Sequence, residues 1–105
     1  MPRTITVTLD HDLGKDEARR RVSEGFDKLK GAMTGGAPLS FTEEWTNEDQ
    51  LTFDARGLGQ RAHGRIDVFP QHVRIEATLP TVIAALAEIV TGKVEKEGRL
   101  LLEKK

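Results

Sequence analysis

Cysteine is absent from this chain of 105 residues. That removes disulfide staples, thiolate nucleophiles and sulfur metal ligands together, and it fits a cytoplasmic setting. Long apolar runs are missing too. No stretch approaches the roughly 18 apolar residues that a membrane-crossing helix needs, and the opening MPRTITVTLD has no apolar run resembling a signal peptide. Charge of one sign is also lacking. With 16 Lys and Arg against 17 Asp and Glu, the net charge is −1 at pH 7, so no global field draws the chain toward nucleic acid or an anionic membrane. Repeats, low-complexity segments and linkers do not occur. Residues 1–105 therefore read as a single domain, large enough to hold a core without staples.

What the chain does have is periodicity. Residues 4–9 alternate Thr with Ile5, Val7 and Leu9, which predicts a half-buried strand. Asp12 or Gly14 then caps a helix over 15 to about 33, with Ala18, Val22, Phe26, Leu29 and Met33 on one stripe. Gly25 and Ala32 flank that stripe and would let another helix approach closely. Thr34-Gly35-Gly36-Ala37-Pro38 ends it in a loop.

Four strands follow, and the sequence specifies their register. Leu39, Phe41, Glu43 and Trp45 share a face, and residues 46–50 form a turn. Phe69-Pro70-Gln71-His72 is a second turn. Pairing Val68 with Val73 sets Ile66 against Ile75, Gly64 against Ala77 and Ala62 against Leu79. The other face then holds two opposite-charge pairs, Asp67–Arg74 and Arg65–Glu76. A slip of one residue would destroy both patterns. Around Leu58-Gly59, Ala55 meets Ala62, Phe53 meets Gly64, Leu51 meets Ile66 and Asp54 meets His63. Arg56 faces Arg61 there, which predicts a local distortion.

The last segment, 79–102, reads as one long helix opened by Pro80. Ile83, Ala87, Val90, Val94, Gly98 and Leu101 form its core stripe, and Lys104 and Lys105 sit where cations favour the helix dipole. A side stripe holds Val82, Leu86, Ile89 and Leu100, broken by Lys93. Glu88, Gly92, Glu95, Lys96 and Arg99 lie opposite the core stripe. Each strand has one apolar and one polar face, so the sheet is antiparallel and covered on one side only. The expected fold is α+β, a two-layer sandwich in the order β-α-β-β-β-β-α. Both helices cover one face of a five-stranded antiparallel sheet whose strand order is 2-3-4-5-1.

Residues able to carry chemistry are sparse. His11, His63 and His72 lie in a loop, on the polar sheet face and in a turn, without the convergence metal ligands need. Glu43-Glu44 and Glu48-Asp49 match no calcium loop, and Gly57-Leu58-Gly59 joins two strands without the Lys and helix of a phosphate loop. Ser23 and Ser40 lack His and acid partners. Arg19, Arg20 and Arg21 are a basic cluster with Asp16, Glu17 and Glu24 close by, so local pairing competes with a phosphate contact. Glu43 shares its face with Phe41 and Trp45, where an inward charge guards a sheet edge or a raised pKa supports acid–base chemistry. Phe41, Glu43, Trp45 and Phe53 also outline a candidate apolar cleft between sheet and helix. No catalytic residue, metal site or cofactor is expected.

Several of these segments resemble one family. His11-x-Leu13-Gly14-x-x-Glu17-Ala18-x-Arg20-Arg21, Leu51-Thr52-Phe53, Gly57-Leu58-Gly59-Gln60 and Gly64-x-Ile66-x-Val68 are similar to stretches of the polyhydroxyalkanoic acid system family. So are Val73-Arg74-Ile75-Glu76-x-x-Leu79-Pro80, Leu86-Ala87-Glu88 and Glu95-Lys96-Glu97-Gly98. The resemblance implies a small bacterial cytoplasmic protein linked to the storage polyester polyhydroxyalkanoate, in some members at the granule surface. It brings no catalytic residues. The function expected is a non-enzymatic accessory or regulatory role, exerted by binding a granule or a protein of that system. Its candidate surface comprises Val82, Leu86, Ile89 and Leu100 with Arg19, Arg20 and Arg21. The alternative is a carrier of a small apolar ligand in the cleft. Homodimerisation through a strand edge or the side stripe is the self-association that the pattern allows.

Overall fold

The computed structural model of the chain describes residues 3–34, 40–57 and 59–103, apart from the side chains of Met33, Thr34, Val82 and Ile83. The expected loop at 35–38, Leu39, Leu58, Lys104 and Lys105 lie outside the described residues, as do the side-chain positions expected for Met33, Val82 and Ile83. The elements are β1 (Arg3–Asp10), α1 (Lys15–Thr34), β2 (Ser40–Asn47), β3 (Gln50–Gly57), β4 (Gln60–Val68) and β5 (His72–Leu79), then α2 (Thr81–Ala84) and α3 (Ala87–Leu102). The five strands are antiparallel neighbours in the order β1-β5-β4-β3-β2.

The registers are those the side-chain pattern demands. Val68 faces Val73, Ile66 faces Ile75 and Gly64 faces Ala77; Ala55 faces Ala62, Phe53 faces Gly64 and Leu51 faces Ile66. β1 closes the row, with Ile5 on Ala77 and Val7 on Ile75. Phe26 of α1 meets Phe41 and Phe53, and Gly98 of α3 comes against Leu9. Both helices therefore lie on the apolar face, and between the layers Val22, Phe26, Leu29, Ile66, Ile75, Val90 and Val94 are buried. Each large side chain so buried contributes about 1.5–3 kcal/mol.

Two glycines are dictated by geometry. Gly14 takes a φ of 80° and its carbonyl accepts the Ala18 N–H at 3.0 Å, opening α1. At Gly64 a Cβ would strike the backbone oxygen of Glu76 and lie 2.6 Å from Phe53 Cζ and 2.9 Å from Ala77 Cα.

Several expectations are corrected. The long final helix is two: Ala84 N–H bonds Pro80 O at 2.8 Å, then a turn at Ala85 and Leu86 intervenes, and Val90 N–H bonds Leu86 O at 2.9 Å. Leu86 takes φ −100° and ψ 13° with no side-chain cap. No Gly or Pro marks this break. It follows from docking, since one segment continues from the end of β5 while the next aligns its stripe on β1 and α1. That stripe ends at Leu102, which is buried, while Leu101 leans onto Gly25 of α1. The distortion expected at Arg56 and Arg61 is absent, and pairing runs on to Gly57 and Gln60. Arg61 turns its guanidinium to Asp54, 2.7 Å away, which relieves the like-charge pair and takes the carboxylate expected for His63. Arg65 stands opposite Glu76 as expected, with its guanidinium turned to Asp67 at 3.3 Å.

Candidate binding surface

Advancing about 100° per residue, the α3 positions that touch the core are Ala87, Val90, Val94, Gly98 and Leu102, all buried. Leu86, Ile89 and Leu100 fall on the far side of the helix. They are 42%, 57% and 55% exposed, large apolar side chains turned to solvent on one ridge. Exposed Lys93 and Lys96 stand between them. α1 does not cover these side chains, and takes Leu101 instead.

The three arginines expected beside the ridge are divided. Arg20 and Arg21 line a groove of about 400 Å³ between α1 and α3, together with Lys28, Glu97 and Leu100. Both are tied down, Arg21 also by donating to the Glu103 carbonyl at the end of α3. Arg20 pairs with Glu24 at 2.8 Å and with Glu17, and Arg21 holds Glu17 at 2.9 Å. Hydrogen bonds from Arg20 first and Arg21 second push the Glu17 carboxyl down to about 2. Arg19 faces the opposite way. Its guanidinium lies 4.1 Å over the Trp45 ring and its Nε donates to the Glu48 carbonyl. The structure thus brings Arg20 and Arg21 next to Leu100 and sends Arg19 to β2.

The expected cleft is occupied by α1. The Phe26 ring stands 6.2 Å from Phe41 and 5.5 Å from Phe53, and Phe41 and Phe53 are 6.3 Å apart. Lys30 Nζ closes the same region, 2.7 Å from a Glu43 carboxylate oxygen and within cation–π reach of Phe26 and Phe41. The hydrogen bond to Glu43 is the main reason the Lys30 pKa is raised. Glu43 is thus an inward charge on an edge strand, neutralised from the helix layer.

The histidines do structural work or face solvent. His11 Nδ1 accepts the Leu13 N–H at 3.2 Å, so Nε2 carries the proton it donates to the Phe69 carbonyl at 3.0 Å. This ties the β1–α1 connection to the β4–β5 turn. His72 stacks on Phe69 with centroids 4.3 Å apart, and His63 is exposed opposite Thr78. Among the described residues no three acids and histidines gather as a metal site.

One polar cluster escaped the sequence reading. Asp67 points to the open sheet face yet is only 9% exposed. Gln50 Nε2 donates to it at 2.8 Å and Arg74 at 3.0 Å. Burial pushes its carboxyl up, but those donors and the charges of Arg65 and Arg74 outweigh it and leave the pKa lowered. The Asp67–Arg74 register pair was legible; Gln50, directly opposite Asp67 on β3, and Arg65, two residues before it on β4, were its unread half.

A sequence model of the family described as "Putative polyhydroxyalkanoic acid system protein" matches residues 5–102. The chain belongs to the polyhydroxyalkanoic acid system family. No curated protein matches it. Among solved structures, this family member is similar to truncated norcoclaurine synthase from Thalictrum flavum, at 14% identity and a TM-score of 0.51, over 100% of this chain and 96% of that one. At that identity the likeness is one of fold alone. Among the described residues of this polyhydroxyalkanoic acid system protein, Leu86, Ile89 and Leu100 are the large apolar side chains that the fold's own packing leaves exposed.

Proposed function

We propose that this chain is a non-catalytic accessory or regulatory protein of the polyhydroxyalkanoate system, working in the cytoplasm by binding a granule surface or a protein of that system. The observation that carries the reading is the ridge of Leu86, Ile89 and Leu100, exposed on α3 in a member of this family. A helix that presents apolar side chains flanked by lysines has the character of an interfacial element. The polyester is such an apolar phase, and the contact there would bury surface worth roughly 25 cal/mol per Å². No membrane span competes for the role, since no helix among the described residues is long and apolar enough to cross a bilayer.

The carrier reading draws less support, because Phe26 stands where a ligand would lie between Phe41 and Phe53. Acid–base chemistry at Glu43 draws less still, its carboxylate being engaged by Lys30.

Sedimentation of the purified chain with isolated polyester granules tests the proposal. The wild type is expected in the granule pellet above a neutral control protein. A Leu86→Ser/Ile89→Ser/Leu100→Ser variant is expected to stay in the supernatant with its thermal melt unchanged. Equal recovery of both proteins in the supernatant would discard direct granule contact, and tagged-chain capture of a partner would then have to carry the protein-binding arm.

A further inference from the structure

The two ends of the sheet are built differently. β2 has the guards natural edges carry: Glu43 points inward, and its pairing with β3 shifts register between Trp45 and Asn47. β1 has none of these. It is an unbroken strand with a single neighbour, β5. Residues 4–9, Thr-Ile-Thr-Val-Thr-Leu, contain no charge, Gly or Pro. Such a segment on an open edge pairs readily with another strand.

The charges of β1 limit how a second copy could pair with it. Arg3 and Asp10 stand exposed at its opposite ends. Parallel pairing of β1 with a second β1 would set Arg3 beside Arg3 and Asp10 beside Asp10, whereas antiparallel pairing keeps those like charges apart. Registers that keep Ile5, Val7 and Leu9 on the core face put the axis at or next to Thr6.

A second observation falls on the same axis. Gly92 and Leu101 are nine residues apart in α3, about 900° or half a turn. Leu101 points to α1, so Gly92 points directly away from it, past the β1 edge. A Cβ at Gly92 would meet nothing within 4 Å. Gly98 sits on Leu9, and α3 runs in the direction of β1. Six residues of helix, about 9 Å, equal about three of strand, so Gly92 is level with Thr6. A groove of about 460 Å³ follows that side, lined by Gly92, Glu95, Lys96, Arg99, Leu100 and Glu103. An antiparallel neighbour crossing at Gly92 sets Glu88 against Lys96 of the second copy, and the reverse, as a two-fold interface requires.

We propose that β1 is the seam of a two-fold homodimer, in which the sheet continues into a second copy and the two α3 helices cross at Gly92. The seam leaves Leu86 and Ile89 on the outer surface, so this inference does not depend on granule binding.

Light scattering on the eluting full-length chain reads the mass directly. The wild type is expected at twice the 11.7 kDa of one chain. Thr6→Lys sets like charges together at the axis, and Gly92→Lys blocks the helix crossing. Each is expected to elute at the mass of one chain with an unchanged thermal melt. Hydrogen exchange on the wild type gives an independent reading: all β1 amides are protected in the dimer, but only alternate ones in a free edge strand. A monomeric wild type, alternate protection along β1, or a dimer that survives both substitutions would overturn the seam. Loss of the dimer in Leu86→Ser/Ile89→Ser alone would move the interface to the ridge and overturn it as well.

Discussion

Local geometry and charge lead to measurable expectations at Gly64, Gly25 and Glu17. Gly64 is pressed by the backbone of β5, which cannot move without breaking the sheet. Gly64→Ala is therefore expected to cost about 1–3 kcal/mol in urea denaturation. Gly25→Ala should cost clearly less, because only the end of Leu101 lies in the way and it can rotate; equal losses would contradict this contrast. Glu17 makes a claim about pH. Its folded pKa, about 2, lies below the ordinary 4.5, so the stability it lends is complete above 4.5 and is lost as pH falls toward 2. Asp67 acts in the same direction. Glu17→Gln should flatten the acid limb of a pH–stability curve, and an unchanged limb would show the Arg20–Glu17–Arg21 arrangement to be energetically idle.

At the scale of elements, Phe26 is the ring that packs α1 against Phe41 of β2 and Phe53 of β3. Phe26→Ala should destabilise the chain by about 3–5 kcal/mol, read as a lowered denaturation midpoint with far-UV dichroism retained below it. A loss under about 1 kcal/mol would mean that α1 is anchored elsewhere. The elements also differ in how much of them the sequence disclosed. Register was legible because the β4–β5 hairpin satisfies apolar matching on one face and charge matching on the other, and the β3–β4 hairpin satisfies apolar matching, which fixed Val68–Val73 and Ala55–Ala62. The break at Ala85 and Leu86 was not, since nothing local in an Ala- and Leu-rich segment opposes a helix and only docking of α3 decides it. Leu102 was missed for a related reason: Leu101 is taken up by α1 at Gly25, and the buried stripe of α3 ends on Leu102. Side-chain choices such as Arg61 taking Asp54 depend on reach across strands, which register pairs alone do not encode.

The whole molecule is a sheet with one open polar face and a helical layer whose outer ridge is apolar. Of the candidate surface, the structure joins Arg20, Arg21 and Leu100 around one groove and sends Arg19 to Trp45. The cleft residues Phe41 and Phe53 serve the core, so a contact at the ridge is the account's central claim. The absence of cysteine gives a direct way to examine it. A single cysteine at Ile89→Cys, carrying a polarity-sensitive fluorophore, reports the ridge; one at Thr42→Cys reports the open sheet face. On addition of polyester granules, the Ile89 probe should shift to the blue and the Thr42 probe should not. A shift at Thr42 with none at Ile89 would contradict the account, because contact would then be made by the polar face and the ridge would remain in water.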